Sequence, residues 1–136
     1  MISFFLDIVP FKATHHAKKI VRRGRFVGLA DKPELVKARQ TYESLLIPYK
    51  PEEPLEGAIF MQLVFYFPFN KSHSKKFREF PRYHTSKPDC SNLAKTFEDC
   101  LARMGFFSND SRVARLEVSK HFSDNPGIQV YIQEAQ

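Results

Sequence analysis

Asn92-Leu93-Ala94-Lys95-Thr96-Phe97-Glu98-Asp99-Cys100-Leu101-Ala102-Arg103-Met104-Gly105 is the most strongly patterned stretch of the chain. Leu93, Phe97, Cys100, Leu101 and Met104 fall on one helical face, and Asn92, Lys95 and Asp99 fall on the opposite one. Gly105 supplies a C-terminal stop, so the spacing predicts a helix over Asn92–Met104. Val113–Phe122 then alternates, with Ala114, Leu116, Val118 and Phe122 on one side, and reads as a strand. Asp124-Asn125-Pro126-Gly127 is a turn, after which Ile128, Val130 and Ile132 complete a predicted hairpin.

Working toward the N-terminus, Ala58–Phe67 is apolar and rich in β-formers, as a central strand would be. Pro33–Ile47 reads as a second helix, with Pro at its start, Leu35, Ala38, Tyr42, Leu45 and Leu46 near one face, and Pro48 ending it. Ile2, Phe4, Leu6 and Ile8 alternate in a first strand closed by Pro10. Lys18–Val21 and Arg25–Leu29 are short extended pieces around a tight turn at Arg22-Arg23-Gly24. Phe69–Lys87 has no period, and a loop of that length in a small domain is usually functional or disordered. The order predicts one α+β domain spanning residues 1–136, a small mixed β-sheet with two helices packed on one face.

Composition narrows the classes. With 136 residues, 43% hydrophobic and 26% charged, the chain can hold a core without metal or disulfide. The longest apolar stretch, around Ala58–Phe69, is interrupted by Gln62 and is far short of a membrane helix, so no membrane partner is expected. Met1-Ile2-Ser3-Phe4-Phe5-Leu6-Asp7 lacks the basic region of a signal peptide. Cys90 and Cys100 make neither a disulfide framework nor a zinc site, and a cytoplasmic setting with reduced thiols is expected. The net charge is +6, and the cations are clustered. Segment 12–25 carries six basic residues and no acid, and segment 71–87 carries Lys71, Lys75, Lys76, Arg78, Arg82 and Lys87 against Glu79 alone. Such clustering fits a polyanionic partner.

The chemistry concentrates in Lys87-Pro88-Asp89-Cys90-Ser91-Asn92-Leu93-Ala94-Lys95, then Asp99, then Gly105 to Ser111. Two carboxylates, a lysine and a basic surface are the ingredients of magnesium-dependent phosphodiester chemistry. Each residue also has a plainer role: Asp89 as a turn cap, Lys95 and Asp99 as a solvated helix pair, Asp110 as a turn residue. Tyr83, Phe77 and Phe80, interleaved with Arg78 and Arg82, either stack on unpaired bases or anchor the loop. His15-His16 fits a solvated basic arm, His84 a proton shuttle, a phosphate contact or a surface histidine, and Cys90 a small packed residue.

Lys-Pro-Asp-x-x-Asn-Leu-x-Lys from Lys87 to Lys95, with the later Asp99, Gly105 and Asn109-Asp110-Ser111, resembles the RusA-like Holliday junction resolvases. The resemblance covers about Lys87–Val113, and Lys120 with the terminal strands fits it too. It implies a homodimeric, magnesium-dependent endonuclease (manganese substituting) that resolves four-way DNA junctions by paired nicks. Catalytic positions then fall on Asp89, Lys95 and Asp110, and metal positions on Asp89, Asp110 and, through a water, Ser91. Asn92 matches the motif, and Asp99 matches a recurrent helix Asp whose role is structural or outside the metal's own ligands. DNA contacts are expected from Lys75, Lys76, Arg78, Arg82, Lys87, Arg22 and Arg23, and the protein would be nucleoid-associated. The sequence departs from the family pattern at Ser91, where an Asp is usual, and at Asn109, where Asp-Asp is usual. The alternative is a catalytically weak or inactive junction-binding protein of the same fold.

Overall fold

In the computed structural model, which describes residues 1–13, 18–23 and 26–135, the elements are β1 (Ile2–Leu6), β2 (Lys18–Arg23), β3 (Phe26–Asp31), α1 (Pro33–Leu46), β4 (Ala58–Phe67), β5 (Arg82–Tyr83), α2 (Cys90–Arg103), β6 (Val113–Phe122) and β7 (Gly127–Ala135). β4 is the spine. Ile59, Met61, Leu63, Phe65 and Phe67 are buried from one face, and Val64 is buried from the other. Its backbone groups are paired by neighbours on both edges, as a central strand requires. β6 pairs with it in parallel and β7 antiparallel, giving a five-stranded sheet of order β1-β7-β4-β6-β5. β2 and β3 form a separate antiparallel ribbon, and the Gly24 turn between them lies outside the described residues.

This order corrects the predicted C-terminal hairpin. β6 and β7 follow one another in sequence but do not pair, because β4 lies between them. The Ser123 N–H donates to the Phe67 carbonyl at 2.8 Å, and Gly127 pairs with Tyr66, so the connection passes over the end of β4. β7 then holds β1 on its far edge, from Ile2–Ile132 to Leu6–Ile128. Gly127 is required there: a Cβ would collide with the Phe5 ring and lie 2.6 Å from the Leu6 carbonyl oxygen.

Both helices cover the odd-residue face of β4. Leu35, Ala38, Tyr42 and Leu46 of α1 are buried, as are Leu93, Ala94, Phe97, Cys100 and Leu101 of α2. Phe97 stands edge-on to Tyr42 at 5.3 Å and to Phe65 at 6.2 Å, joining both helices to the sheet. The Tyr42 hydroxyl accepts from the Phe11 N–H at 2.9 Å, and burial raises its pKa. Cys100 is fully buried among the core residues, and burial pushes its thiol up to about 12. α2 ends as Gly105 predicts: Gly105 has φ 85°, its N–H donates to Ala102 O at 3.1 Å, and the Phe106 N–H donates to Leu101 O at 3.0 Å. That reciprocal pair is a Schellman stop. The opposite sheet face is less covered: Phe60 is 39% exposed, and Phe5, Tyr66, His121 and Tyr83 run across it as a row of rings.

Candidate active site

α2 starts earlier than its apolar period indicates. Asp89 is the N-cap, with φ −69° and ψ 149°, and its carbonyl accepts the Leu93 N–H at 3.0 Å. Ser91 is in the first helical turn, and both Asp89 and Ser91 are exposed. The Asp89 carboxylate makes no capping hydrogen bond. The capping role is therefore not what occupies it, and its negative charge stands where the helix's unpaired N–H groups favour an anion.

Lys95, one turn further, reaches across to the loop after α2. Its Nζ donates to Asp110 Oδ2 at 2.7 Å and lies 3.1 Å from Asp99 Oδ1. The pair given the plainer reading of a solvated helix contact thus supplies two members of a three-membered group. Asp110 opens a 3-10 turn over Asp110–Arg112, and Asn109 caps it, its Oδ1 accepting the Ser111 N–H at 2.8 Å. Asn109, the second departure from the family pattern, does the local turn chemistry, which leaves the Asp110 carboxylate for Lys95. The hydrogen bond from Lys95 holds the Asp110 carboxyl below the usual range, and Asp110, then Asp99, hold the Lys95 ammonium above its own. Glu98, not singled out in the sequence, sits in the same field. Burial raises its carboxyl; the charge of Lys95 opposes this, while those of Asp110 and Asp99 add to it. Among the described residues no three His, Cys, Asp or Glu side chains converge as a metal cluster.

The turn leading into Asp89 is tied to β6. Lys120 Nζ donates to the carbonyl oxygens of Ser86 at 2.6 Å and Pro88 at 2.8 Å. Lys120 fitted the family resemblance in sequence, but its contacts were not visible there, because its partners lie 34 and 32 residues away.

The basic loop is built rather than slack. His73, Phe69, Phe77 and Phe122 pack ring against ring. Arg78 donates to the carbonyls of His73 and Asn70, and Arg82 Nε donates to Phe77 O at 3.0 Å with its guanidinium over the Phe77 and Phe80 rings. Phe77 is therefore an anchor, whereas Phe80 and Tyr83 are 62% and 74% exposed. Lys71, Lys75, Lys76 and Lys87 are exposed around this frame. Arg22 is exposed on the ribbon; the side chain of Arg23 and the His15-His16 pair lie outside the described residues. His84 is buried, at 4.6 Å from both the Phe67 and Phe122 rings, so it is not a surface histidine.

The fold and site define a two-layer α+β domain that carries a lysine between aspartates on the helix following a cationic loop. Residues 10–133 match the family model described as endodeoxyribonuclease RusA, and the chain belongs to that family. It is 31% identical over 120 residues to the uncharacterized protein YqaN of Bacillus subtilis (strain 168), covering 84% of this chain and 83% of that protein. It is 28% identical over 89 residues to a protein of Lactococcus phage r1t named crossover junction endodeoxyribonuclease rusA, covering 65% of this chain and 66% of that one. Among the described residues no helix is long and apolar enough to cross a membrane.

Proposed function

We propose that the protein is a magnesium-dependent endonuclease that resolves four-way DNA junctions by paired nicks, acting as a homodimer. The observation that carries this reading is the Asp99–Lys95–Asp110 group, which joins the helix capped by Asp89 to the turn that follows it. The donor chemistry fits magnesium, which takes hard oxygen ligands, one or two carboxylates among them, and fills the rest with water and phosphate oxygens. Asp89 and Asp110 would hold the ion, and the exposed Ser91 hydroxyl would hold one of its waters. Manganese would substitute. The bound ion supplies Lewis-acid polarisation and a more acidic water.

The chain's own groups do the rest. Lys95 brings a fixed positive charge to the phosphate, where it stabilises the negative charge that develops as the P–O bond breaks. Asp99 holds the Lys95 ammonium from the helix side and limits its swing. The exposed lysines of the loop and Arg22 take flanking phosphates, and Phe80 and Tyr83 offer rings to bases exposed at a branch point.

The test is cleavage of a synthetic four-way junction beside a linear duplex of the same arm sequence, with magnesium, with manganese and with chelator. Symmetric metal-dependent nicks in the junction alone are expected, and Asp110→Asn and Lys95→Ala should bind the junction without cutting it. A wild-type gel shift without cleavage favours the junction-binding alternative. Neither shift nor cleavage overturns both readings.

A further inference from the structure

Lys120 is on β6, outside the Asp99–Lys95–Asp110 group, and the chemistry proposed above does not use it. Its ammonium donates to two backbone carbonyls, Ser86 O at 2.6 Å and Pro88 O at 2.8 Å. These are charge-assisted hydrogen bonds, shorter and stronger than neutral ones. The backbone carbonyl of Lys120 accepts the His84 N–H at 3.1 Å, and β5 pairs Arg82 with Phe122 and Tyr83 with His121. Segment 82–88 is therefore fastened to the end of β6 twice, through its backbone at 82–84 and through one ammonium at 86–88.

The next residue is Asp89. Its side chain makes no capping bond, so its own helix does not fix the direction of the carboxylate. Pro88 is buried while Ser86, Lys87 and Asp89 are exposed, so the turn rests on a single packed ring and the two carbonyls Lys120 holds. An apolar side chain at position 120 would leave both carbonyls without that donor.

We infer that Lys120 is a positioning residue that clamps the Ser86 and Pro88 carbonyls and thereby aims the Asp89 carboxylate. The inference rests on the reading of Asp89 as part of the nuclease site. Groups that orient metal ligands typically cost 10–100-fold in metal affinity or activity when removed.

The experiment uses the full chain and the variants Lys120→Met, Lys120→Gln and Lys120→Arg, with Lys120→Gln replacing Lys120→Met should the latter not fold. Manganese affinity is measured by calorimetry on DNA-free protein, and the magnesium titration of junction cleavage is run beside it. Lys120→Met should weaken manganese binding and raise the half-maximal magnesium concentration by about tenfold or more. Lys120→Arg should recover most of both. Metal-free junction affinity and its salt slope should stay at wild-type values. In an Asp89→Asn background, Lys120→Met should add no further loss, because Lys120 acts only through Asp89. Unchanged manganese affinity, a loss additive to Asp89→Asn, or a drop in metal-free junction affinity would each overturn the assignment, the last making Lys120 a DNA contact. Should the wild type neither bind manganese nor cut, the nuclease reading falls by itself. The clamp is then judged by the carbonyl 13C resonances of Ser86 and Pro88. Movement of both in Lys120→Met supports it, and no movement overturns it.

Discussion

Ser91 is where the chain tests its own chemistry most directly, because it carries a hydroxyl where the family usually carries a carboxylate. It is exposed in the first turn of α2, so Ser91→Asp adds a charge where a helix favours anions by about 0.3–1 kcal/mol. The variant should cut junctions at a severalfold lower magnesium concentration. An unmoved titration would separate Ser91 from the metal. His84 gives a second prediction at this scale. Burial, then the charge of Lys120, lowers its pKa from the ordinary 6.5, so the unfolded chain binds a proton more readily than the fold does. Stability is therefore full above that value and is lost as pH falls through the window below it. Urea midpoints should drop between about pH 7.5 and about pH 5.5, and His84→Phe should flatten the drop. His121, which burial also lowers, contributes a slope of the same sign. Equal slopes in both proteins would refute the assignment. Asp89, Lys95 and Asp110 could be singled out as candidates in the sequence because they fall within one short run, whereas the bond that joins Lys95 to Asp110 could not. Glu98 was not singled out, because burial sets its environment, and Lys120 was matched only by its place on a strand, because its partners come from across the fold.

α2 and β4 carry the architecture and were legible almost to their bounds, since an apolar stripe and a β-rich run are local signals. The start of α2 differed, at Cys90 rather than Asn92, because the first turn is polar and contributes nothing to the apolar period. Phe97 is the residue through which α2 meets both α1 and β4. Phe97→Ala should cost about 3–5 kcal/mol in urea or thermal melts, as large core truncations do. A loss below about 1 kcal/mol would mean the site closes over the cavity easily. The basic loop divides its cations between two tasks, which no local pattern distinguishes. Arg78 and Arg82 bond the loop's own carbonyls, while Lys75 and Lys76 stand exposed. Lys75→Gln with Lys76→Gln should shallow the salt dependence of junction binding by about 0.9 in log–log slope for each phosphate no longer neutralised. The thermal midpoint should stay where it is. An unchanged slope would remove this loop from the DNA surface.

A four-way junction has two-fold symmetry, and paired nicks need two symmetric sites, which a C2 dimer provides. Sedimentation at micromolar concentration should therefore give about twice the 15.9 kDa chain mass. A monomer that still makes paired nicks would refute the dimer. Four of the sheet's five strands were legible at this scale, but β5, inside the unpatterned loop, and the strand order were not. A turn such as Asp124–Gly127 announces a reversal of direction and is silent on which strand the returning chain joins. That choice has a consequence in time. Because β4 lies between β6 and β7, the last two strands have no local zipper to close, and each must find β4 on its own. Loop closure comes before the reward of pairing, which slows folding in proteins dominated by distant strand partners. During synthesis β4 emerges long before either partner, with both hydrogen-bonding edges bare. β1, made first of all, waits longest, since among the described residues its ladder is with β7 alone. The nascent chain is therefore most exposed to self-association late, just before residues 127–135 arrive to close the sheet.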